Sequence, residues 1–430
     1  MDPALSDDEA LPTRLQKAAF SYFTEFCDSD TGLVADTSRD GSPASIAVVG
    51  FALSCYPIGV KNGWMSRADA ARQTLKILRF FSRSEQSKDP DATGYKGLYY
   101  HFLDMKTGKR VWRCELSLID SALLMAGILV AGVYYEGGGD DEAEIRKLSD
   151  ELYRRADWHW SESGDGTIAQ GWKPECHFLN YGWEGYNEAT ILYFLGLGSP
   201  DFALSSHGYT SWGLTYQWER LLGQDVLYSG PLFTHYFSHA WIDFRGIRDA
   251  FMREKNSDYF QNTIRTIALH REYACRNPLA FSGYNRDFWG VTAGDGPGDQ
   301  DLRANGRDRR FFGYMSRGIP YGPDDGTIAP WAMLAALPFD PQAALAGTRH
   351  LLQAYPQVCQ DGRFASGFNP TLEKNGTGWL SQGCYGLDQG LLVMMIENHR
   401  SGMIWDLFRR SSYVRTGLER AGFSGGWLRT

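Results

Sequence analysis

An all-α (α/α)6 toroid is the fold class that the sequence predicts: an inner and an outer ring of helices, with long loops forming a cleft at one end. Three observations lead there. Apolar residues recur at helical spacing along nearly all of the 430 residues. Segments apolar on every side alternate with amphipathic ones, and a helix apolar all round is buried all round. Between them run irregular stretches rich in Gly, Trp, Tyr, Asp and His, and long irregular loops in a compact domain are usually functional.

The elements follow in order. Ser6-Asp7-Asp8 cap a helix running to about Cys27, with Leu15, Ala18, Ala19, Tyr22, Phe23 and Phe26 on one face. An apolar segment runs from Ser45 to about Ile58, and Ser66 reads as the N-cap of an amphipathic helix from Arg67 to Phe81. Glu115 to Tyr134 is apolar almost all round, and Asp141 to Trp158 is amphipathic and heavily charged. The alternation repeats in Asn187 to Leu197, then Tyr209 to Leu222. Gly246 to Arg276 is a long helical stretch with an expected interruption near Asn256. Thr327 to Ala336 pairs with Pro341 to Tyr355, and apolar Leu387 to Asn398 with the more polar Ser401 to Ala421. The longest loop is expected at Asn277 to Asp325. No Pro/Ser-rich or charged linker divides the chain, so residues 1–430 are expected to form a single domain.

Composition narrows the function. The net charge is −8 and no basic stripe is visible, which excludes a nucleic-acid partner and disfavours a polyanionic substrate. No apolar run approaches the roughly 20 residues of a membrane span, so no membrane partner is expected. The Met1 to Ala10 segment is acidic and polar, unlike a signal peptide, which points to the cytoplasm; periplasm or secretion is the alternative if a leader has been removed. The seven Cys are scattered without a C-x-x-C, so no disulfide framework is implied; Cys55, Cys114 and Cys275 read as reduced core residues. With 14 Trp and 23 Tyr, many beside polar loop residues, the aromatics suit sugar stacking as well as a core. Oligomeric state is not readable.

No G-x-S-x-G elbow, Walker loop or Rossmann fingerprint is present, which leaves carboxylate chemistry. Glu115 is explained as a dipole-compensating residue of a helix start; Asp120 lies too far into the apolar run for that, and a buried carboxylate is costly unless paired or functional. Glu188 opens another apolar helix beside Tyr186 and Asn187, whereas Glu184 reads as a solvated or capping group. His235 and His239 stand four apart in Thr234 to Arg245, but without the intervening Glu of a zinc protease they suit sugar hydroxyls better than metal. Asp243 and Arg245 could form a local ion pair there. Asp295 sits in a Gly-rich turn near Trp289; one of Asp324 and Asp325 is expected to cap the next helix; Asp388 either caps its helix or touches substrate.

Taken together, seven stretches in order resemble the bacterial glycoamylase-like proteins, the group that includes glycoside hydrolase family 144. They are Tyr99-Tyr-His101-Phe, Glu115 to Asp120, Gly182 to Glu188, Pro231 to Arg245, Trp289 to Pro297, Asp324-Asp-Gly-Thr, and Asp388-Gln-Gly through Glu397-Asn. They span nearly the whole chain. The resemblance implies an (α/α)6 barrel without metal or other cofactor, acting on β-1,2-linked glucan or its oligosaccharides. It places catalytic carboxylates at Asp120 and Glu188. Glu188 is expected to be the general acid, with Asp120 or loop residue Asp295 as base. Tyr99, His101, Glu115, Trp183, Tyr186, Asn187, His235, His239, Trp241, Asp243, Arg245, Trp289, Asp324, Asp325 and Asp388 are the expected substrate-binding residues. An inverting mechanism needs the acid and base about 6.5–9.5 Å apart, with water between. The alternatives are a transglycosylase or glucoamylase-like toroid enzyme, a lyase or epimerase on the same toroid, and a non-catalytic glycan-binding protein.

Overall fold

The computed structural model describes residues 7–372 and 377–428. Its helices are α1 (Asp7–Glu25), α2 (Ile46–Lys61), α3 (Arg67–Arg83), α4 (Leu118–Tyr134), α5 (Asp140–Arg154), α6 (Thr190–Gly198), α7 (Ser206–Gly213), α8 (Leu232–Trp241), α9 (Ala250–Glu254), α10 (Tyr259–Arg276), α11 (Trp331–Ala335), α12 (Pro341–Ala354), α13 (Gly386–Ser401), α14 (Met403–Phe408) and α15 (Ser412–Arg420). Ser6, the first residue of the expected N-terminal cap, lies outside the described residues.

The alternation read from the sequence becomes two layers. Every residue of α2 from Ile46 to Gly59 is buried, as is every residue of α4 from Leu118 to Ala131 and all of α6. α3 and α5 bury one face only. The buried helices pack on one another: α2 on α4, α4 on α6, α8 on α11, α11 on α13, and α13 back on α2. α6 and α8 meet through Ser238, whose hydroxyl accepts the Ile191 N–H at 3.2 Å and donates to the Glu188 carbonyl at 3.2 Å. The amphipathic layer lies outside: α1 on α13, α3 and α5 on α2 and α4, α10 on α8, α12 on α11, α15 on α6.

The α2–α4 crossing is set by two glycines. A Cβ on Gly50 would lie 2.2 Å from the Leu123 carbonyl oxygen, and one on Gly127 would lie 2.1 Å from the Gly50 carbonyl oxygen. Backbone meets backbone there, so neither position has room for a side chain.

Several boundaries differ from the sequence expectation. The helix expected over Tyr209 to Leu222 stops at Gly213, and the chain becomes a hairpin pairing Trp218–Leu221 with Gln224–Leu227. Leu222 and Gly223 both have positive φ, 45° and 86°, a two-residue turn that a helix cannot contain. A second hairpin pairs Gln300–Ala304 with Arg307–Phe311 inside the expected loop, turning at Asn305-Gly306 with φ of 51° and 73°. The expected break near Asn256 is present: Asn256 is left-handed, and Asp258 caps α10 by accepting the Gln261 N–H. α11 begins only at Trp331, because Thr327–Ala329 first runs beside Phe368 as an isolated bridge at Ile328. Ser401 to Ala421 divides into α14 and α15.

All seven Cys are unpaired. Cys55 and Cys114 are buried, but Cys275 is exposed on α10, because it falls on the solvent face of an amphipathic helix. Among the described residues no helix is long and apolar enough to cross a membrane.

Candidate active site

The first turns of the buried helices converge on a cavity of about 300 Å³. Its wall takes Asp120 from α4, Glu188 from the turn entering α6, Phe233 and Phe237 from α8, Trp331 from α11 and Asp388 from α13. His101, Tyr314 and Tyr385 complete it from the loops. Helix N-termini carry partial positive charge, so carboxylates gathered there are favoured by the dipoles they face. A larger surface groove, about 1290 Å³, runs along α3 and contains none of these carboxylates.

Asp120 is the third residue of α4, not a residue deep in the apolar run. Ser117 is the N-cap: its Oγ accepts the Asp120 N–H at 3.2 Å and donates to Asp120 Oδ2 at 2.5 Å, a reciprocal capping arrangement. Glu115 falls outside the helix altogether, so dipole compensation does not explain it. It instead holds His101, whose Nδ1 lies 2.9 Å from Glu115 Oε1 and whose Nε2 lies 3.5 Å from Asp120 Oδ2. Burial works against a charge on His101, but Asp120, Glu115 and the nearby Asp36 outweigh it and push the imidazole up to about 9. At neutral pH His101 is therefore a cation, its Nδ1 donating to Glu115 and its Nε2 within ion-pair distance of Asp120.

Glu188 follows Asn187, whose Oδ1 accepts the Ala189 N–H at 2.9 Å and fixes the turn into α6. Burial raises the Glu188 carboxyl to about 7; its backbone hydrogen bond lowers it and the Asp120 charge adds to the rise. Asp388 is the third residue of α13 and does not cap it, since Tyr385 holds the cap position. Its Oδ2 makes no hydrogen bond within ordinary distance among the described residues, and the Trp331 indole N–H is the donor that bears on the carboxyl. Burial, with the charges of Asp295 and Asp36, drives its carboxyl well above the ordinary value.

Asp295 occupies a different kind of place. Its carboxylate is ion-paired with Arg39 and accepts from Ser381 Oγ at 2.5 Å and Tyr385 OH at 2.9 Å. It abuts the cavity through Gly294 and Tyr385, which line it. Asp36, raised to about 6 mainly by burial, and Arg39 were not among the sequence candidates. Both lie in a turn between α1 and α2, and only the fold brings that turn to the Asp295 loop and the start of α13 at Asp388.

The remaining candidates do not line this cavity. Tyr99 is buried with its hydroxyl donating to the Phe81 carbonyl and meeting Arg155. Trp183 lies in a short strand, its carbonyl accepting from Tyr193 OH at 2.7 Å. Tyr186 is core, packed on Tyr259 and His235. His235 and His239 face away from the cavity that Phe233 and Phe237 line on the same helix: His235 Nε2 meets the Ser229 carbonyl, and His239 Nε2 meets Thr263 Oγ1. Trp241 is buried and donates to Ser54 Oγ at 2.9 Å. Asp243 and Arg245 form the local bidentate pair, both bonds 2.7 Å, with the guanidinium over Trp405. Trp289 is buried. Asp324 accepts from Tyr273, Tyr284 and the Gly326 N–H. Asp325 takes the buried Arg317 fork at 2.8 and 3.0 Å, so neither caps α11, whose cap position is Pro330.

Residues 180–412, more than half of the chain, match the glycoamylase family, described as "Putative glucoamylase". The chain belongs to this family. A solved structure of the same description from Bacteroides uniformis is 28% identical, covers 100% of both chains and superposes with a TM-score of 0.87. An endo-β-1,2-glucanase structure from Chitinophaga pinensis, in complex with sophorotriose and glucose, is 23% identical, covers 98% of this chain and 99% of its own, and gives a TM-score of 0.85; that likeness speaks to the fold. The exo β-1,2-glucooligosaccharide sophorohydrolase (non-reducing end) of Parabacteroides distasonis is 26% identical over 450 residues, or 96% of this chain. The match spans 58% of that relative's length. Within the glycoamylase family, then, this chain carries a helix-rich scaffold whose inner helix starts gather carboxylates around one cavity.

Proposed function

We propose that this chain is a glycoside hydrolase that cleaves β-1,2-linked glucan or its oligosaccharides with inversion. One domain would do this, with its buried helices closing into an (α/α)6 toroid and the loops walling a cleft over the carboxylates. The observation that carries the reading is Glu188. A cavity-lining carboxyl held up to about 7 keeps its proton near neutrality, which is what a general acid needs to protonate a glycosidic oxygen. The linkage rests on the activity for which the Parabacteroides relative is named.

Asp120 is the proposed base, activating water from the same cavity, with His101 and Glu115 orienting it. Asp295 supports the wall from its loop. Asp388 is a second reading for the base, favoured by its place in the same cavity and an Oδ2 that makes no hydrogen bond within ordinary distance among the described residues. The test is reducing-end release from a panel of glucans by wild type and Glu188→Gln. Release from β-1,2-glucan that Glu188→Gln lacks supports the reading; equal release by both removes Glu188, and product of retained configuration removes the water-in-between mechanism. Azide added to Asp120→Gly and Asp388→Gly separates the two bases, because a small anion restores turnover only where the base is missing.

A further inference from the structure

The turn just before Glu115 is strained. Trp112 and Arg113 are consecutive non-glycine residues with φ of 57° and 50°. A bulky side chain at positive φ is disfavoured, and such outliers persist only where surrounding structure imposes them. Here the Cys114 N–H returns to the Val111 carbonyl at 3.1 Å, and the Val111 N–H donates to the Phe102 carbonyl at 3.1 Å. Arg110 is buried and grips Glu175 through two bonds of 2.9 and 3.2 Å. The result is that the Trp112 indole is 70% exposed.

That indole is not isolated. Its centroid lies 5.1 Å from the Phe102 ring, and Phe102 stacks on His101 at 3.8 Å and 14°. His101 in turn contacts both Glu115 and cavity-lining Asp120. An aromatic path therefore runs from solvent to the histidine at the carboxylates. A buried Trp would be explained by packing; an exposed one held in left-handed backbone and joined through Phe102 to cavity-lining His101 is not.

We propose that Trp112 is the stacking platform of an outer subsite, taking the face of a pyranose ring in the glucan chain beyond the units held at the carboxylates. The C–H face of a hexose suits an indole face, and at 70% exposure most of the Trp112 side chain is open to one. This rests on the glucan-hydrolase reading above, and it adds where a longer chain is gripped. Trp112 makes no contact with the reacting groups, so it governs chain-length preference and not the chemical step.

The experiment compares wild type, Trp112→Asn and Trp112→Tyr on β-1,2-gluco-oligosaccharides of increasing length. Asn tolerates the left-handed backbone, so this variant removes the ring without adding strain. In wild type, kcat/KM should rise with length until the outer subsite is filled. Trp112→Asn should lose that rise, by roughly tenfold for the longer chains, while leaving the shortest cleavable substrate unchanged. Trp112→Tyr should recover most of it. An equal loss at every length, or an unchanged length profile, overturns the proposal while leaving the hydrolase reading intact. A wild type that cleaves no β-1,2-glucan overturns both.

Discussion

A carboxyl raised to about 7 titrates in the middle of the working range, so Glu188 sets a visible limb in the pH profile. Turnover should fall as pH rises through that value, because the acid loses the proton it must donate. Glu188→Gln should lower kcat by roughly two or more orders of magnitude, the scale of general-acid help, and the residual rate should lose the limb. Far-ultraviolet circular dichroism would check that the fold is unchanged. Asp120 and Glu188 stood out in the sequence because a charged residue inside or beside an apolar run has few reasons to be there. Asp36, Arg39, Tyr314 and Tyr385 were not singled out, since each belongs to an ordinary polar turn or loop until distant segments meet. The opposite error concerns His235, His239 and Trp241. They share a motif-like stretch with Phe233 and Phe237, yet only the two Phe face the cavity. Spacing of four put the His pair on one side of a helix, and nothing local told which side was inward.

At the scale of elements, the buried and half-buried alternation was legible because α2, α4 and α6 carry almost no polar residues on any face. The two hairpins were not. Trp218–Leu227 continues a stretch that can be read at helical period, and its turn uses Leu222, which no turn rule selects. Asn305-Gly306 was a readable hairpin signal, obscured by the charged residues on both strands. Two stability predictions belong here. Ser117→Ala removes the cap of α4 and the hydroxyl donated to Asp120; the capping loss alone should cost about 1 kcal/mol, measured by urea unfolding. Gly127→Ala forces a methyl against the Gly50 backbone, which no rotamer change can relieve. It should cost about 1–3 kcal/mol or more, as overpacking does, although Ala is the better helix former. A Gly127→Ala protein as stable as wild type would show that α2 and α4 can slide apart.

Over the whole molecule, the site holds several groups that prefer their protonated forms in the folded state. Asp36 is raised to about 6, Glu188 to about 7 and His101 to about 9, while Asp388 goes well above its ordinary value. A carboxyl or imidazole with a raised folded pKa binds its proton more tightly when folded, so its contribution is greatest at low pH and declines as pH rises through the folded value. On the other side, Asp28 and Glu175 are lowered to about 2: burial resists this at Asp28 but the Lys106 bond and turn amides win, and at Glu175 the Arg110 bonds dominate. Their contribution is present above the ordinary carboxylate range and fades as pH falls below it. The two sets together place the stability maximum where the ordinary carboxylate range ends for the lowered pair and the raised carboxyls still hold their protons, at roughly pH 4 to 4.5. Thermal midpoints measured across pH 3 to 9 should therefore peak there and decline toward alkaline pH. Glu188→Gln cannot ionise and should shed its share of that decline, so its midpoint should exceed wild type at pH 8 and converge with it near pH 4. A variant that parallels wild type across the whole range would mean that Glu188 is ordinarily solvated in the folded protein, and the general-acid assignment would fall with that result.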